Sequence, residues 1–443
     1  MIPVVTPDEM RAIDAAAPEP VEVLIHRAGG AVFRAALDLL GGTYGRRVNV
    51  IAGAGNNGAD GRDAAERLQA RGVRVRVFDV KACPEELPPA DLVIDAAFGT
   101  GFRAEAARPW TAPGIGDAPV LAVDIPSGVD SLSGEAGPAV LRADRTVTFQ
   151  ALKPGLVFGD GAALAGEVEV VDIGLDTGAI RCHLVEATDV ASWWPTRPSN
   201  SHKWKSAVKV IAGSPGMPGA AELCTAAAAR GGAGLVSLSA PGCRPHTRSE
   251  VVQREIPVGG FGEAALDDIG RFGALVIGPG LGRGDDTLTA TRECIGDAPV
   301  PVVVDGDALF AVARSRDGAE PLLRRRQLST VLTPHDGEFA QLTGQRPSVD
   351  RIASARAAAD EFDSTVLLKG PTTVIASPPP SHFEADGYEA LGWGDDGAPG
   401  GVLLVDRGDQ RLATAGSGDV LSGLIGAALA AGAPPDRAAA AAA

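Results

Sequence analysis

The apolar residues of this chain come in short strand-length runs, and several of them stop at a glycine or an aspartate. In the first half the runs are Val48–Ala52, Val73–Val80, Leu92–Ala96, Val120–Asp124 and Thr146–Phe149. A second series follows at Val208–Ala212, Leu235–Ser239, Ala274–Ile277, Val300–Val304, Thr330–Thr333, Thr365–Leu368 and Thr373–Ala376. Helix-length segments separate them, and Ala59 to Arg71 has amphipathic spacing. Strands that read as continuous apolar runs are buried on both faces, which is the signature of a parallel α/β sheet covered by helices. Aromatics are only 4% of the chain, against 57 glycines and 33 prolines, so the cores are expected to be Ala, Val, Leu and Ile rather than those of an aromatic-rich sandwich.

The texture changes between residues 186 and 206, where Trp193, Trp194, Pro195, Pro198, Ser199, Asn200 and Ser201 cluster. A boundary there divides the 443 residues into two α/β domains, 1–190 and 200–443. The formal net charge of −16 argues against nucleic acid as a partner, since binding by bulk electrostatics needs a basic surface. A small anion would need backbone donors instead. Five cysteines, odd in number and without Cys-x-x-Cys spacing, argue against a disulfide framework or a zinc site and read as small buried hydrophobes. Met1–Asp14 lacks an apolar signal core, and the soft run Val420–Ala433 is too short for a bilayer span of about 20 residues. A soluble cytoplasmic protein without membrane partners is expected.

Gly53-Ala-Gly-Asn-Asn-Gly58 follows a strand and opens a helix, the context in which Gly-x-Gly-x-x-Gly brings helix amides up to a phosphate. Asp79 ends the next strand, where a dinucleotide fold keeps its ribose-binding acid, so a NAD-dependent dehydrogenase is a rival reading. Asn56, Asn57 and Asp60 go beyond that fingerprint. Asp95-Ala-Ala-Phe-Gly-Thr-Gly101 and Asp124-Ile-Pro-Ser-Gly128, followed by Asp130 and Gly134, end two further strands. Ligands of open α/β sheets bind at such C-terminal strand ends, so three of them converge on one crevice.

These motifs, with Met10-Arg-Ala-Ile-Asp14, Arg27-Ala-Gly29 and Lys153-Pro-Gly155, resemble the NAD(P)HX epimerase domain of the bifunctional NAD(P)H-hydrate repair enzymes over about Thr6–Asp172. The resemblance implies a Rossmann-like three-layer domain. It places the hydrated nucleotide on Asn56, Asn57, Gly58, Ala59 and Asp60, on Gly99, Thr100, Gly101, Phe102, Arg103, Ala104 and Glu105, and on Asp124. It puts a potassium ion among Asn57, Asp95 and Ser127, and Asp124 is the candidate catalytic residue for proton traffic. Asp60 competes for that role, but a helix start favours its negative form and suits it to binding. Two positions depart from the family: Ala59 stands where glycine is usual, and Leu24-Ile-His26 replaces a more acidic segment.

In the second half Thr414-Ala-Gly-Ser-Gly-Asp419 precedes an apolar helical run, and glycine amides at a helix start form an anion hole. An aspartate held there can deprotonate a hydroxyl beside a phosphoryl group. Leu368-Lys-Gly370, Thr333-Pro-His-Asp-Gly-Glu338 and Gly278-Pro-Gly-Leu-Gly282 end three more strands. Over about His202–Gly432 these motifs resemble the ribokinase-like NAD(P)H-hydrate dehydratase domain of the same enzymes. The resemblance makes Asp419 the catalytic base. It assigns adenine nucleotide to Lys369, Gly370, Pro371, Thr372, Thr373 and Gly418, and hydrated dinucleotide to Ala220, Gly282, His335 and Asp419. Departures are His202-Lys-Trp-Lys-Ser-Ala207, Asp305-Gly-Asp307 in place of Asp-Ala-Asp, a long Ser377–Gly401 loop, and a pattern one helix short after an alanine-only run from Ala438.

The resemblance thus implies a homo-oligomeric enzyme with two activities. One domain interconverts R and S hydrates of NADH and NADPH. The other dehydrates the S form with ADP and magnesium, yielding NAD(P)H, AMP and phosphate. The alternative is a ribokinase-like small-molecule kinase fused to a non-catalytic dinucleotide-binding module.

Overall fold

The protein is described here by a computed structural model covering residues 1–103, 111–379 and 401–443. It divides into Ile2–Ile180 and Arg181–Ala443, the latter grouped with Met1. The division therefore precedes the expected 186–206 boundary. Residues that read as linker belong to the second unit: strand Cys182–Leu184 pairs with Val402–Val405, and Trp193 and Trp194 pack on its core.

In the first unit, strands β1 (Arg47–Ala52), β2 (Arg74–Asp79), β3 (Leu92–Ala96), β4 (Val120–Val123), β5 (Arg145–Phe149) and β6 (Glu167–Val171) form a parallel sheet in the order β2-β1-β3-β4-β5-β6. The order reverses between β1 and β3, so the crevice of an open α/β sheet lies at their C-terminal ends. β6 escaped the sequence reading because acids Glu167 and Glu169 interrupt its valines, as suits an exposed edge strand. Helices α1 (Val21–Leu40) and α2 (Asn56–Ala70) pack together over a core containing Val50, Ile94 and Leu121. Gly29 sits at their contact; a Cβ there would fall 2.3 Å from Asp63 Oδ2.

In the second unit the strands are β7 (Cys182–Leu184), β8 (Ala207–Ile211), β9 (Leu235–Pro241), β10 (Val252–Ile256), β11 (Ala274–Ile277), β12 (Val302–Val304), β13 (Thr330–Leu332), β14 (Thr365–Leu368), β15 (Thr373–Ala376) and β16 (Val402–Val405). Their order is β7-β16-β15-β14-β13-β12-β11-β8-β9-β10. β15 runs antiparallel to both β14 and β16, while the other pairs are parallel. A connection as short as Lys369–Thr372 cannot make a parallel crossover, which needs about a dozen residues, so the chain must reverse there. The covering helices include α3 (Pro218–Arg230), α4 (Asp336–Thr343), α5 (Ser417–Ala430) and α6 (Pro435–Ala442). The alanine run forms α6, with Ala438, Ala439 and Ala440 buried in the core. All five cysteines are free; Cys182, Cys224 and Cys294 are buried. Among the described residues no helix is long and apolar enough to cross a membrane.

Gly278 follows β11 at φ 128°, and a Cβ there would lie 1.7 Å from the Asp305 carbonyl oxygen. Backbone strain and overpacking each cost about 1–3 kcal/mol. Gly278→Ala is therefore expected to lower the stability of the chain by roughly 2–6 kcal/mol. An unchanged urea midpoint would refute the close approach.

Candidate functional site

Each unit gathers its candidate residues at C-terminal strand ends, and each cluster is described by itself.

In the first unit, β1 runs into Gly53 and α2 begins at Asn56. Gly53 and Gly58 do not have positive φ; their role is close approach. A Cβ on Gly53 would lie 2.0 Å from Ala97 O, and one on Gly58 1.9 Å from Gly53 O. Gly55 has open space beside it, leaving the helix start accessible to a ligand. Ala59 lies inside α2, its N–H bonded to Gly55 O at 3.1 Å, so this departure from the family occupies ordinary helical backbone. Asp79 caps the turn after β2 through Lys81 N–H and faces Arg62 at 3.7 Å.

The Asn57 side-chain Oδ1 and Nδ2 are both buried without a hydrogen-bond partner. A Cβ on Gly99 would lie 3.3 Å from Asn57 Oδ1 and 2.9 Å from Asp124 Oδ2, so Asn57, Gly99 and Asp124 adjoin. Thr100 N–H donates to Asp124 Oδ2 at 3.2 Å. Phe102 stacks on Phe98, and Arg103 braces the loop by donating to Thr100 O, Phe102 O and Ser131 Oγ. Gly101 borders open space, Asn56 is exposed, and Ala104 and Glu105 lie outside the described residues.

Asp124 follows β4 at φ 68°, a left-handed conformation unusual for a residue with a side chain. Its Oδ1 accepts from Lys153 Nζ at 2.7 Å and from Thr148 Oγ1 at 3.1 Å. Lys153 is only 1% exposed and also donates to Thr148 Oγ1 and Phe149 O. Asp14 and Asp60 complete the group. Burial, and then the charges of Asp124, Asp63 and Asp14, push the Asp60 carboxyl up to about 8. Burial also pushes Asp14 up, opposed by Lys153. Asp60 lies beyond the first turn of α2, so the helix-start argument does not reach it, and lost hydration with the neighbouring carboxylates favours its neutral form.

Asp95 and Ser127 form a separate latch between the β3 and β4 loops. Asp95 accepts Ser127 N–H at 2.8 Å and Ser127 Oγ–H at 2.6 Å, while Ser127 Oγ accepts Phe98 N–H at 2.9 Å. Asp130 is a turn residue, accepting from Leu132 and Ser133 N–H. Arg27 and Gly29 are packing residues: Arg27 Nη1 donates to Ile173 O at 2.7 Å.

In the second unit, buried Asp305 ends β12 and is held by three donors. Oδ1 accepts from Lys369 Nζ at 2.9 Å and Thr333 Oγ1 at 2.7 Å; Oδ2 accepts from Ser422 Oγ at 2.7 Å. Lys369 ends β14, with Glu338 Oε2 4.0 Å away. His335 caps α4: its Nδ1 accepts Gly337 and Glu338 N–H, leaving Nε2 to carry the proton of a neutral ring. Its side chain is 62% exposed.

Asp419 lies in the first turn of α5, whose cap, Gly416 at φ 93°, fills no amide with a side chain. A Cβ on Gly418 would fall 3.4 Å from Lys369 Nζ, joining this helix start to the lysine. Burial, and then the Asp305 charge, push Asp419 up to about 6 against the pull of Lys369. Gly282 N–H donates to Asp307 Oδ2 at 2.8 Å, and a Cβ on Gly280 would meet Ala220 Cβ. Gly370 and Pro371 are the exposed turn after Lys369; Thr372 is buried and Thr373 begins β15. Gly306 has φ 54° and ψ −123°, so glycine suits Asp305-Gly-Asp307 better than alanine would. Residues 380–400 of the expected long loop lie outside the described residues.

Sequence reasoning quoted Lys153 and Asp305 only as motif letters and did not single out Asp14, Thr148 or Ser422. Its usable signal was that Asp305 and Lys369, like Asp124, end apolar runs.

Comparison with known proteins agrees with this division of the chain. A family model described as NAD(P)H-hydrate dehydratase matches residues 208–390, and one described as YjeF-related protein N-terminus matches residues 21–86 and 79–155. The bifunctional NAD(P)H-hydrate repair enzyme Nnr of Mycobacterium tuberculosis is 40% identical over 426 residues, covering 90% of this chain and 82% of that protein. That of Mycobacterium leprae is 37% identical over 422 residues, covering 90% and 82%. A solved ADP/ATP-dependent NAD(P)H-hydrate dehydratase from Bacillus subtilis is 28% identical, covering 57% of this chain and 83% of that chain at a TM-score of 0.44. At this identity and coverage, the chain belongs to the bifunctional NAD(P)H-hydrate repair enzymes.

Proposed function

We propose that this chain repairs hydrated NADH and NADPH in two steps, epimerisation by the unit of Ile2–Ile180 and dehydration by that of Arg181–Ala443. The observation that carries the reading is a pair of strand-end acid sites, Asp124–Lys153 and Asp419–Asp305–Lys369, one in each unit.

In the first unit, Asp124 would move protons at C6 of the hydrated ring. Three donors, Lys153, Thr148 and Thr100 N–H, orient its carboxylate. Asp60, whose neutral form burial and the neighbouring carboxylates favour, would offer a proton beside it. By the family resemblance a potassium ion would be held by Asn57, Asp95 and Ser127; the unpartnered Asn57 Oδ1 supports a neutral oxygen donor there, whereas Asp95 and Ser127 are bonded to each other.

In the second unit, Asp419 would accept the proton of the C6 hydroxyl of the S hydrate. The oxygen then bonds to the phosphorus of an adenine nucleotide as the nucleotide's terminal P–O bond breaks. The C6–O bond next breaks with phosphate leaving, and loss of the C5 proton restores the ring double bond. The α5 amides face the transferred group, and Lys369 and the Gly370–Thr373 turn would hold the nucleotide, ADP with magnesium. Ala220, Gly282 and the His335 Nε2–H would contact the dinucleotide. A homo-oligomeric assembly belongs to the same proposal.

Three outcomes are expected. Asp419→Asn should cut NADH recovery from S hydrate about 10²–10⁴-fold. R/S exchange and nucleotide binding should stay intact; wild-type recovery would refute the base. Because burial raises Asp419 to about 6, wild-type dehydratase kcat/KM should fall as pH drops through that value, since the protonated acid cannot accept a proton. A flat profile from pH 5 to 8 would contradict this. Asp124→Asn should slow R/S exchange about 10²-fold or more while dehydration of pure S hydrate keeps its rate. Chiral separation of the hydrates reads this directly, and exchange at the wild-type rate would leave Asp124 a ligand only.

A further inference from the structure

We propose that Asp305 is the positioning residue of the dehydratase site, fixing the Lys369 ammonium and holding its carboxylate beside the helix start that carries Asp419. This rests on the assignment of Asp419 as the base.

Asp305 ends a central strand, is 3% exposed, and spends its hydrogen-bonding capacity on three side chains from three other elements. Lys369 comes from the end of β14, Thr333 from the end of β13 and Ser422 from the second turn of α5. Ser422 lies three residues beyond Asp419, just under one helical turn, so its bond to Asp305 fixes the rotation of the helix that carries the base. Moving the carboxylate would release the lysine and the helix start together.

The same carboxylate acts on the base through its charge. Asp419 faces Asp305 and Lys369, with opposite effects; Cys224 on α3 lies within the field of both carboxylates, and Glu338 on α4 faces Lys369. Asp305 raises the proton affinity of Asp419, and Lys369 lowers it. Lysine alone would leave a weak base. Asp305 alone would repel the incoming phosphates. The pair supplies a cation for the nucleotide while keeping the base strong enough to take a hydroxyl proton near neutral pH.

The test is the pH profile of S-hydrate dehydration by the full-length enzyme with ADP, for three variants. Asp305→Asn keeps the shape and removes the charge. Its acid limb should move to lower pH by about one unit, with kcat/KM at pH 7 reduced tenfold or more and KM for ADP raised. Lys369→Met should move the limb the opposite way, to higher pH, and Asp305→Asn/Lys369→Met should return it toward the wild-type position. A merely structural role for Asp305 would lower the amount of active enzyme without moving the limb. An unmoved limb in either single variant overturns the proposal, and Lys369→Met still decides it if Asp305→Asn fails to fold. Asp419→Asn run in parallel separates the two claims: activity in it refutes the base, whereas an inactive Asp419→Asn beside unmoved limbs refutes only the role of Asp305.

Discussion

An ammonium held against a buried strand-end carboxylate is the interaction on which both sites rest. In one unit it is Lys153 on Asp124 at 2.7 Å; in the other it is Lys369 on Asp305 at 2.9 Å. Neither charge could stay buried alone, because stripping one partner from a buried pair typically costs about 3–5 kcal/mol. Geometry follows from this need. Hydroxyls of Thr148, Thr333 and Ser422 take up the remaining bonding capacity, and each ties a neighbouring strand or helix to the pair. The left-handed backbone of Asp124 is tolerated in the same way, since a carboxylate with three donors over-determines its own position.

The two clusters solve different electrostatic problems. Around Lys153 three carboxyl groups, Asp14, Asp60 and Asp124, surround one cation, and burial with the neighbouring charges pushes Asp60 toward its neutral form. Around Lys369 two carboxylates, Asp305 and Glu338, are near the ammonium, and Asp419 stands on an open helix start where an anion can displace water. One site favours a neutral acid beside its ion pair; the other keeps a base beside a cation.

Much of this was legible in the linear order of residues. Val48–Ala52, Leu92–Ala96, Ala274–Ile277 and Thr365–Leu368 are central strands and looked it, because burial on both faces leaves no room for polar alternation. Glu167–Val171 and Val252–Ile256 did not, because edge strands carry charged side chains toward water. The strand-end acids Asp95 and Asp124 and the helix-start Asp419 could be picked out, but not their partners. Lys153 and Asp124 meet only when β4 and β5 are adjacent, and the protonation of Asp60 depends on carboxylates distant in sequence. A helix-dipole argument applies only within the first turn, and Asp60 sits past that turn of α2.

The antiparallel step at β15 has a consequence for how this sheet can change. β15 and β16 are register-locked neighbours, and Ser377 N–H bonds Gly401 O at 3.1 Å, so both ends of the connection between them are pinned to the same point. A connection closed in this way gains or loses residues cheaply, because each doubling of its length costs only about 0.6 kcal/mol of closure entropy. Material inserted between Ser377 and Gly401 would leave Lys369 and its carboxylate partner in place. The sheet thus has a graft point at which length and composition can drift without altering the chemistry at the neighbouring strand end.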